Sequence, residues 1–372
     1  MQEDNKMGNL DASLTDKEEL DGLDDSPDLE MHDYPLDSLL IRDMPRSVHE
    51  VCRRIEQGNY ILDPDFQRDF IWPPEKQSRL IESLLMRIPL PVFYLAERND
   101  GKVIVIDGLQ RLTTISRFLN NEFALRGKDM DSANNYFSGK KFKDLPTKLQ
   151  NRLEDTQLIM YILDEKVPER ARLDIFERVN GGTPLSRQQM RNCMYCGPAT
   201  KMLKHLANEQ DFLSATGGGL NQKTMRDREF INRYMAFEIN GIGEYRGDMD
   251  EFLAEVLIKI NKMSDKQINA LKGKFLAAMQ KCGSIWGKHT FRKHTPNQSG
   301  RNVINAALFD VLSVTIGNLE KKLNEECKEN IRQRLFVLFN DDDFNNAITL
   351  STNGLRQVQI RFQKTYEAFA EV

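Results

Sequence analysis

One segment of the sequence limits the fold that this chain can adopt. Val103 to Ile106 is an apolar run that predicts a buried strand, and it leads directly into Asp107 and Gly108. Apolar residues then recur at helical spacing from Leu112 to Leu119. A strand, a tight turn and a helix in direct succession indicate a mixed α/β fold, with a polar turn at the end of the strand.

The rest of the pattern predicts an α/β (α+β) protein with a helical C-terminal domain. Ser47 and Glu50 form a capping box for a first helix, and Asn99-Asp100-Gly101 predicts a hairpin turn before the buried strand. Strands are predicted at 60–62, 92–95, 102–106 and 157–163, and helices at 75–86, 168–179, 224–239, 248–261, 265–282, 302–323 and 326–339. We therefore expect an acidic disordered tail (1–33), an α/β domain (34–215) and a helical domain (216–372).

The net charge of -4 conceals an uneven distribution. Residues 1–33 hold twelve acidic residues against Lys6 and Lys17, whereas residues 262–301 hold nine Lys or Arg against Asp265. Such a basic segment is typical of a nucleic-acid surface, or of a solvated helix face. The tail could shield it or only increase solubility. We predict DNA as a partner and the following residues as DNA-binding: Lys272, Lys274, Lys281, Lys288, Arg292 and Lys293.

Composition and missing motifs exclude several classes of protein. Mean hydropathy is -0.55 and the apolar runs are short, so no membrane partner is expected. The polar N-terminus lacks a secretory signal, which favours a cytoplasmic location. Five cysteines are too few for a disulfide framework or a four-ligand zinc site, so we expect reduced thiols and no metal site built from protein ligands alone. The motifs of Walker A loops, Rossmann folds, zincins and α/β-hydrolases are absent from the sequence.

The turn at 107–111 is suited to bind phosphate. Gly108 permits a positive φ, and the following helix start presents unpaired N–H groups to an anion. Arg111 offers a planar fork that matches phosphate, and Gln110 both donates and accepts. Asp107 could bind a ribose hydroxyl or a divalent ion. The same residues could equally form a capped helix with a structural arginine salt bridge.

Two further polar segments favour the binding interpretation. Gln67 and Arg68 repeat the Gln-Arg pair in a turn-rich loop, and Arg178 and Asn180 stand beside the glycines that end a helix.

These segments carry a resemblance to a known family. In order, they are Pro64-Asp65-Phe66-Gln67-Arg68 with Trp72, Leu80 to Leu85 with Ile88-Pro89-Leu90-Pro91, Asp107-Gly108-Leu109-Gln110-Arg111-Leu112-Thr113-Thr114, and Phe176-Glu177-Arg178-Val179-Asn180. Over residues 60–195 the chain resembles the DGQQR-motif family of ParB/sulfiredoxin-like domains. This family includes the GmrS half of GmrSD type IV restriction enzymes and SspE-like phage-defence proteins. The segment at 226–234 is similar to the helical continuation of the family.

The resemblance implies that the turn binds and hydrolyses a nucleoside triphosphate with Mg2+, coupled to sensing or cutting foreign DNA. By position, Asp107, Gln110 and Arg111 are the implied catalytic residues. The implied nucleotide-binding residues are Gln67, Arg68, Gly108, Arg178 and Asn180. The chain departs from the pattern at Leu109, where the family has its first Gln, and this departure bears on hydrolysis more than on binding.

Three other functions remain open at this point. His289 and His294 lack the context of an HNH nuclease site, so cutting would come from the first domain, from a partner nuclease, or not at all. A nucleotide-gated sensor that acts with a partner nuclease is one alternative. A Mg-dependent nuclease that uses Asp65 and Asp107 is a second, and an interaction module without a ligand is a third.

Overall fold

The chain forms two compact units. The computed structural model describes residues 20–22, 41–62, 72–98, 100–126, 137–167, 169–179, 186–321 and 323–370. Described residues within Ser26–Glu209 and Gln222–Gly273 form the α/β unit, and those within Met1–Asp25, Gln210–Asn221 and Lys274–Val372 form the helical unit. The units interleave along the sequence, whereas the predicted domains follow one another. That predicted division and the disordered state of the tail stay predictions.

A five-stranded sheet is the centre of the α/β unit. The described strands are β1 (Ile41–Asp43), β2 (Arg46–Ser47), β3 (Tyr60–Ile61), β4 (Phe93–Glu97), β5 (Val103–Asp107), β6 (Gln157–Leu158) and β7 (Met160–Leu163). The sheet order is β1-β7-β4-β5-β3, and β2 and β6 form a separate ladder. The predicted hairpin is confirmed, because β4 and β5 pair antiparallel with Leu95 opposite Val105.

The single strand predicted at 157–163 is two strands in the structure. Ile159 separates β6 from β7, and its carbonyl accepts a hydrogen bond of 2.9 Å from the backbone N–H of Phe93. Its side chain is 46% exposed, so it does not continue the buried pattern of its neighbours. The chain thus changes partner at this residue, from β2 to β4 and β1.

Helices cover both faces of the sheet. In the α/β unit they are α1 (Val48–Glu56), α2 (Pro74–Leu85), α3 (Leu109–Leu119), α4 (Thr147–Glu154), α5 (Glu169–Val179), α6 (Arg187–Met194), α7 (Pro198–Leu206), α9 (Arg226–Asn240) and α10 (Met249–Asn261). Phe93 and Val105 pack with α1, α2 and α3, whereas Ile104 and Ile106 pack with α5 and α6. Ser47 caps α1 as predicted, and Ser186 caps α6 in the same way, each accepting a backbone N–H at 3.2 Å. Burial on both faces supplies the main stabilisation of the unit.

The helical unit contains helices that the sequence pattern only partly located. They are α8 (Gln210–Thr216), the part of α11 (Asp265–Trp286) after Gly273, α12 (Ala306–Gly317), α13 (Glu325–Phe339), α14 (Asp342–Ala347) and α15 (Leu355–Phe369). The helix predicted at 302–323 is shorter because Asn305 caps it, accepting from the backbone N–H of Leu308 at 2.8 Å. The prediction missed α8, α14 and α15. None of the helices in the described ranges is long and apolar enough to cross a membrane.

Buried charges join α6, α9 and α10. Arg191 is 1% exposed and donates to Asp250 at 2.5 Å, and Arg187 pairs with the other oxygen of Asp250. Glu229 accepts from Arg226 at 2.7 Å. Burial alone would raise the pKa of Glu229, but Arg226 and Arg191, with Arg233, outweigh it and lower the pKa. Removing one member would leave the others buried and uncompensated.

Asp227 of α9 is also buried, and among the described residues it forms no ion pair. Its carboxylate accepts the backbone N–H of Arg228 at 2.8 Å, and burial raises its pKa. A carboxyl with a raised folded-state pKa destabilises the fold at neutral pH and ceases to do so as the pH falls through that pKa.

We therefore predict that Asp227→Asn stabilises the chain at pH 7. The asparagine amide oxygen can still accept the N–H of Arg228, and the substitution removes the buried negative charge. A gain of ~1 kcal/mol would raise the Tm by about 2–4 °C, and the gain should shrink as the pH is lowered. Asp250→Asn is the matched control with the opposite sign, because it leaves Arg187 and Arg191 without their anion. Thermal unfolding from pH 4 to pH 8 measures both, and a loss of stability in Asp227→Asn at pH 7 would contradict the prediction.

Candidate functional site

Gly108 makes the turn between β5 and α3 with a left-handed backbone. Its φ is 93° and its ψ is 9°, a conformation that glycine adopts without the steric cost of a Cβ. The aromatic ring of Phe93 lies directly behind it. A Cβ at this position would lie 2.8 Å from Cε1 of Phe93 and still closer to Cδ1. Both the turn and the ring contact therefore require glycine, as the sequence predicted for the turn alone.

The start of α3 has backbone donors that its N-cap residue does not satisfy. Gly108 is the N-cap residue and has no side chain to accept from them, and no other described side chain caps the helix. The N–H groups of Leu109, Gln110 and Arg111 are the first of the helix and lack acceptors within it. Together with the helix dipole, they favour an anion at this end.

Hydrogen bonds and a ring contact fix the side chain of Arg111 at this turn. Its guanidinium donates to the carbonyl of Pro91, to that of Val92 at 3.1 Å and to Asp107 at 2.8 Å. The guanidinium carbon also lies 4.3 Å from the ring centroid of Phe93, a cation–π contact. Its side chain is 11% exposed, and burial lowers its pKa despite the nearby Asp107 carboxylate. In this structure Arg111 positions Asp107 and the start of β4, which agrees with the structural alternative left open by the sequence.

Asp107 is the exposed acid of the turn. Its side chain is 35% exposed, and Oδ2 accepts from Arg111. In the described residues, no three His, Cys, Asp or Glu side chains come close enough to hold a metal ion by themselves. A Mg2+ ion that arrives with phosphates needs only one or two protein carboxylates. Asp107 therefore fits the role of protein ligand to a nucleotide-bound Mg2+.

Gln110 connects the turn to Trp72. Its Oε1 accepts the backbone N–H of Trp72 at 3.2 Å, so the NH2 group is the part of this side chain that can donate to a ligand. The carbonyl of Trp72 accepts from Gln77 at 2.5 Å, and Lys76 Nζ lies 4.2 Å from the centroid of the Trp72 ring. The backbone of Trp72 is thus fixed beside the helix start.

The structure brings together only part of the predicted nucleotide site. Asp107, Gly108, Gln110 and Arg111 form one cluster, whereas Gln67, Arg68 and Asn180 lie outside the described residues. Arg178 is exposed in the last turn of α5, a helix that packs on the opposite sheet face from α3. In the described part of the chain, it makes no hydrogen bond or ion pair with the turn residues.

Sequence reasoning missed Phe93 and the carbonyls of Pro91 and Val92. The alternation of β4 predicts that Phe93 is buried, but no spacing rule places its ring against the glycine that follows β5. The Ile88-Pro89-Leu90-Pro91 segment was the available signal, because it fixes the approach of the chain to β4.

The predicted DNA-binding residues do not form one uniform surface. Arg292 is 3% exposed and donates to the carbonyls of Thr290 at 2.7 Å and Thr216 at 2.6 Å. Burial lowers its pKa to about 10. In this conformation the guanidinium of Arg292 is engaged within the protein, and its DNA-binding role stays a prediction.

Three of the predicted lysines also have partners within the protein. Lys281 donates to the carbonyls of Gly317 and Leu319 at 2.8 and 2.7 Å, at the end of α12. Lys288 donates to the carbonyl of Ser299 at 2.8 Å, and Lys293 pairs with Asp21 at 3.3 Å. Lys272 is half-buried and Lys274 is exposed, both on α11. The DNA-binding role of these lysines stays a prediction.

Comparison with known families settles the class of the α/β region. Residues 48–196 match the family described as GmrSD restriction endonuclease, N-terminal domain. This region belongs to the GmrSD N-terminal domain family. The match contains β3 to β7, the 107–111 turn and α5, and it confirms the resemblance over residues 60–195. A search of curated proteins finds no match.

We predict that Gly108→Ala destabilises the GmrSD domain by about 2 kcal/mol or more, from a positive φ and from overpacking against Phe93. Gly101→Ala is the matched control. Gly101 has a φ of 75° but open space around its Cβ position, so its cost should be limited to about 1 kcal/mol. Urea unfolding of the two variants tests this, and equal losses would show that the contact with Phe93 does not matter.

Proposed function

We propose that the turn at 107–111 binds a nucleoside triphosphate with Mg2+ and hydrolyses it, in a protein of the restriction or phage-defence type that is directed at DNA. The GmrSD family match supports the DNA-directed class. The observation that carries nucleotide binding is the uncapped start of α3, which lies between a half-exposed carboxylate and a donor amide. This arrangement offers phosphate ligands and a metal ligand within one turn.

Each residue of the turn then has a separate role. The amides of Leu109 to Arg111 bind phosphate oxygens, and the NH2 group of Gln110 donates to the same group. Asp107 holds Mg2+, which offsets negative charge on the phosphates when bound. Arg111 acts through Asp107 as a positioning residue. Its carbonyl and carboxylate contacts replace the direct phosphate contact that the sequence suggested.

Hydrolysis requires an in-line water opposite the leaving phosphate oxygen. With Oε1 of Gln110 engaged by Trp72, Asp107 is the described acceptor that can orient such a water. Gln67 and Arg68 remain predicted contributors from the preceding loop.

Phosphate release tests this proposal. Asp107→Asn keeps an oxygen for Arg111 but removes the charge that holds Mg2+. We expect Mg2+-dependent release from ATP, GTP, CTP or UTP, with and without DNA, to fall at least tenfold, while the Tm changes little. Asp100→Asn makes the same substitution in the β4–β5 turn, where Asp100 accepts from the N–H of Lys102 at 3.2 Å, and should retain wild-type release. Equal release from wild type and Asp107→Asn would contradict the proposed site.

A second candidate function is a nucleotide-gated sensor that acts with a partner nuclease. Leu109 favours it, because this residue packs against the apolar core where the family pattern has a polar Gln. If wild type binds nucleotide without phosphate release and Leu109→Gln gains release, the sensor role is supported. If wild type releases phosphate, this candidate is contradicted.

A further inference from the structure

A short stretch of the acidic N-terminal segment is bound by buried side chains of the helical unit. The structure describes Leu20, Asp21 and Gly22 there. Asp21 forms a parallel bridge with Asn305 at the start of α12. Its N–H donates to the carbonyl of Ile304 at 3.0 Å, and its carbonyl accepts the N–H of Ala306 at 2.9 Å. Both backbone groups of Asp21 are therefore satisfied by the helical unit.

The side chain of Asp21 is recognised as well. Its Oδ2 accepts from Nδ2 of Asn305 at 2.9 Å and pairs with Lys293 Nζ at 3.3 Å. Asn305 is fully buried, and its Nδ2 also donates to the carbonyl of Ile348 at 2.8 Å. Its Oδ1 accepts from Leu308, so the orientation of the amide is fixed with its donors toward Asp21. The site thus selects an anionic side chain at this position.

Gly22 is required at the next position. Its φ is 69°, and a Cβ there would lie between 2.8 and 3.0 Å from side-chain atoms of Asn305. Its carbonyl accepts from the hydroxyl of Thr352 at 2.6 Å, and Thr352 is 1% exposed. The buried side chains of Asn305 and Thr352, together with Lys293, therefore bind a carboxylate that is followed by a glycine.

We propose that this site is a peptide-binding site that takes the Asp21-Gly22 dipeptide in cis, and that this docking competes with nucleic acid for Lys293. The competition rests on the proposed DNA-directed function. Asp21 occupies the ammonium group of Lys293, a residue of the basic segment 262–301. Docking also tethers the acidic N-terminal stretch to that basic segment. Twelve acidic residues lie within the first 33 positions of the chain.

The occupied anion position explains how docking and DNA binding exclude each other. A DNA phosphate that contacts Lys293 would lie beside the carboxylate of Asp21, and the repulsion between the two anions disfavours binding of both at once. Tethering gives the Asp-Gly segment an effective concentration of the order of mM, so even a weak contact keeps the site filled. Release of the segment frees Lys293 for DNA.

Docking is tested first, without DNA. Gly22→Ala in the full chain empties the site, and Gly8→Ala is the matched control in the same acidic segment. The probe is a fluorescein-labelled peptide of residues 16–26, followed by polarisation. We expect saturable binding to Gly22→Ala and at least tenfold weaker binding to wild type and Gly8→Ala, whose sites are filled in cis. Thr352→Val added to Gly22→Ala should weaken peptide binding, and so should Asp21→Asn in the peptide. Equal binding to all chains, or none to Gly22→Ala, would overturn the peptide site.

The competition is tested with the same chains and a labelled DNA duplex. Gly22→Ala should bind DNA at least threefold more tightly than wild type and Gly8→Ala, and unlabelled peptide should reverse the gain. Equal affinity of the three chains overturns the competition. If no chain binds DNA, the competition and the DNA-directed function fail together, whereas the peptide measurement still reports on the docking site.

Discussion

The buried guanidinium of Arg111 is the contact on which the candidate site depends. It joins two carbonyls before β4, the carboxylate at the end of β5 and the ring of Phe93. The Arg111 side chain is only 11% exposed. A charge so far from water is stable only when its hydrogen bonds are satisfied, and here three acceptors and an aromatic face satisfy them. The hairpin and the start of α3 are thereby fixed to each other, and Asp107 is fixed at the rim of the turn. The geometry available to a ligand follows from this one side chain.

Gly108 and Phe93 also shape the turn between β5 and α3. The glycine backbone lies against the ring, and because Gly108 has no side chain, the N-cap residue does not cap the first amides of α3. A phosphate can approach the backbone closely only in such a place. The helical unit shows a comparable use of a helix start, where Asn305 caps α12 and also receives a carboxylate. There, the buried amide of Asn305 and the ammonium group of Lys293 define the anion position.

Much of the fold could be predicted from sequence, because its signals are local. The 103–119 pattern located β5, the turn and α3, and the Ser47 cap located α1. The role of Arg111 could not be chosen from spacing, since it depends on the register of β4 against β5, which shifts between Tyr94 and Leu95. The burial of Arg292 could not be predicted from a count of charges, because composition does not show which charged side chains are buried. The docking of Asp21 on Asn305 was beyond prediction, because its partners lie hundreds of residues apart in sequence.

The central claim is that the start of α3 binds the phosphates of a nucleotide, and amide hydrogen exchange tests it most directly. The wild-type chain would be compared with and without a Mg2+-bound, non-hydrolysable triphosphate analogue, and exchange would be followed by mass spectrometry. The account predicts that the amides of Leu109, Gln110 and Arg111 become protected, because phosphate oxygens supply the acceptors that the helix start lacks. Protection confined to other segments, with these amides unchanged at saturating analogue, would contradict the account.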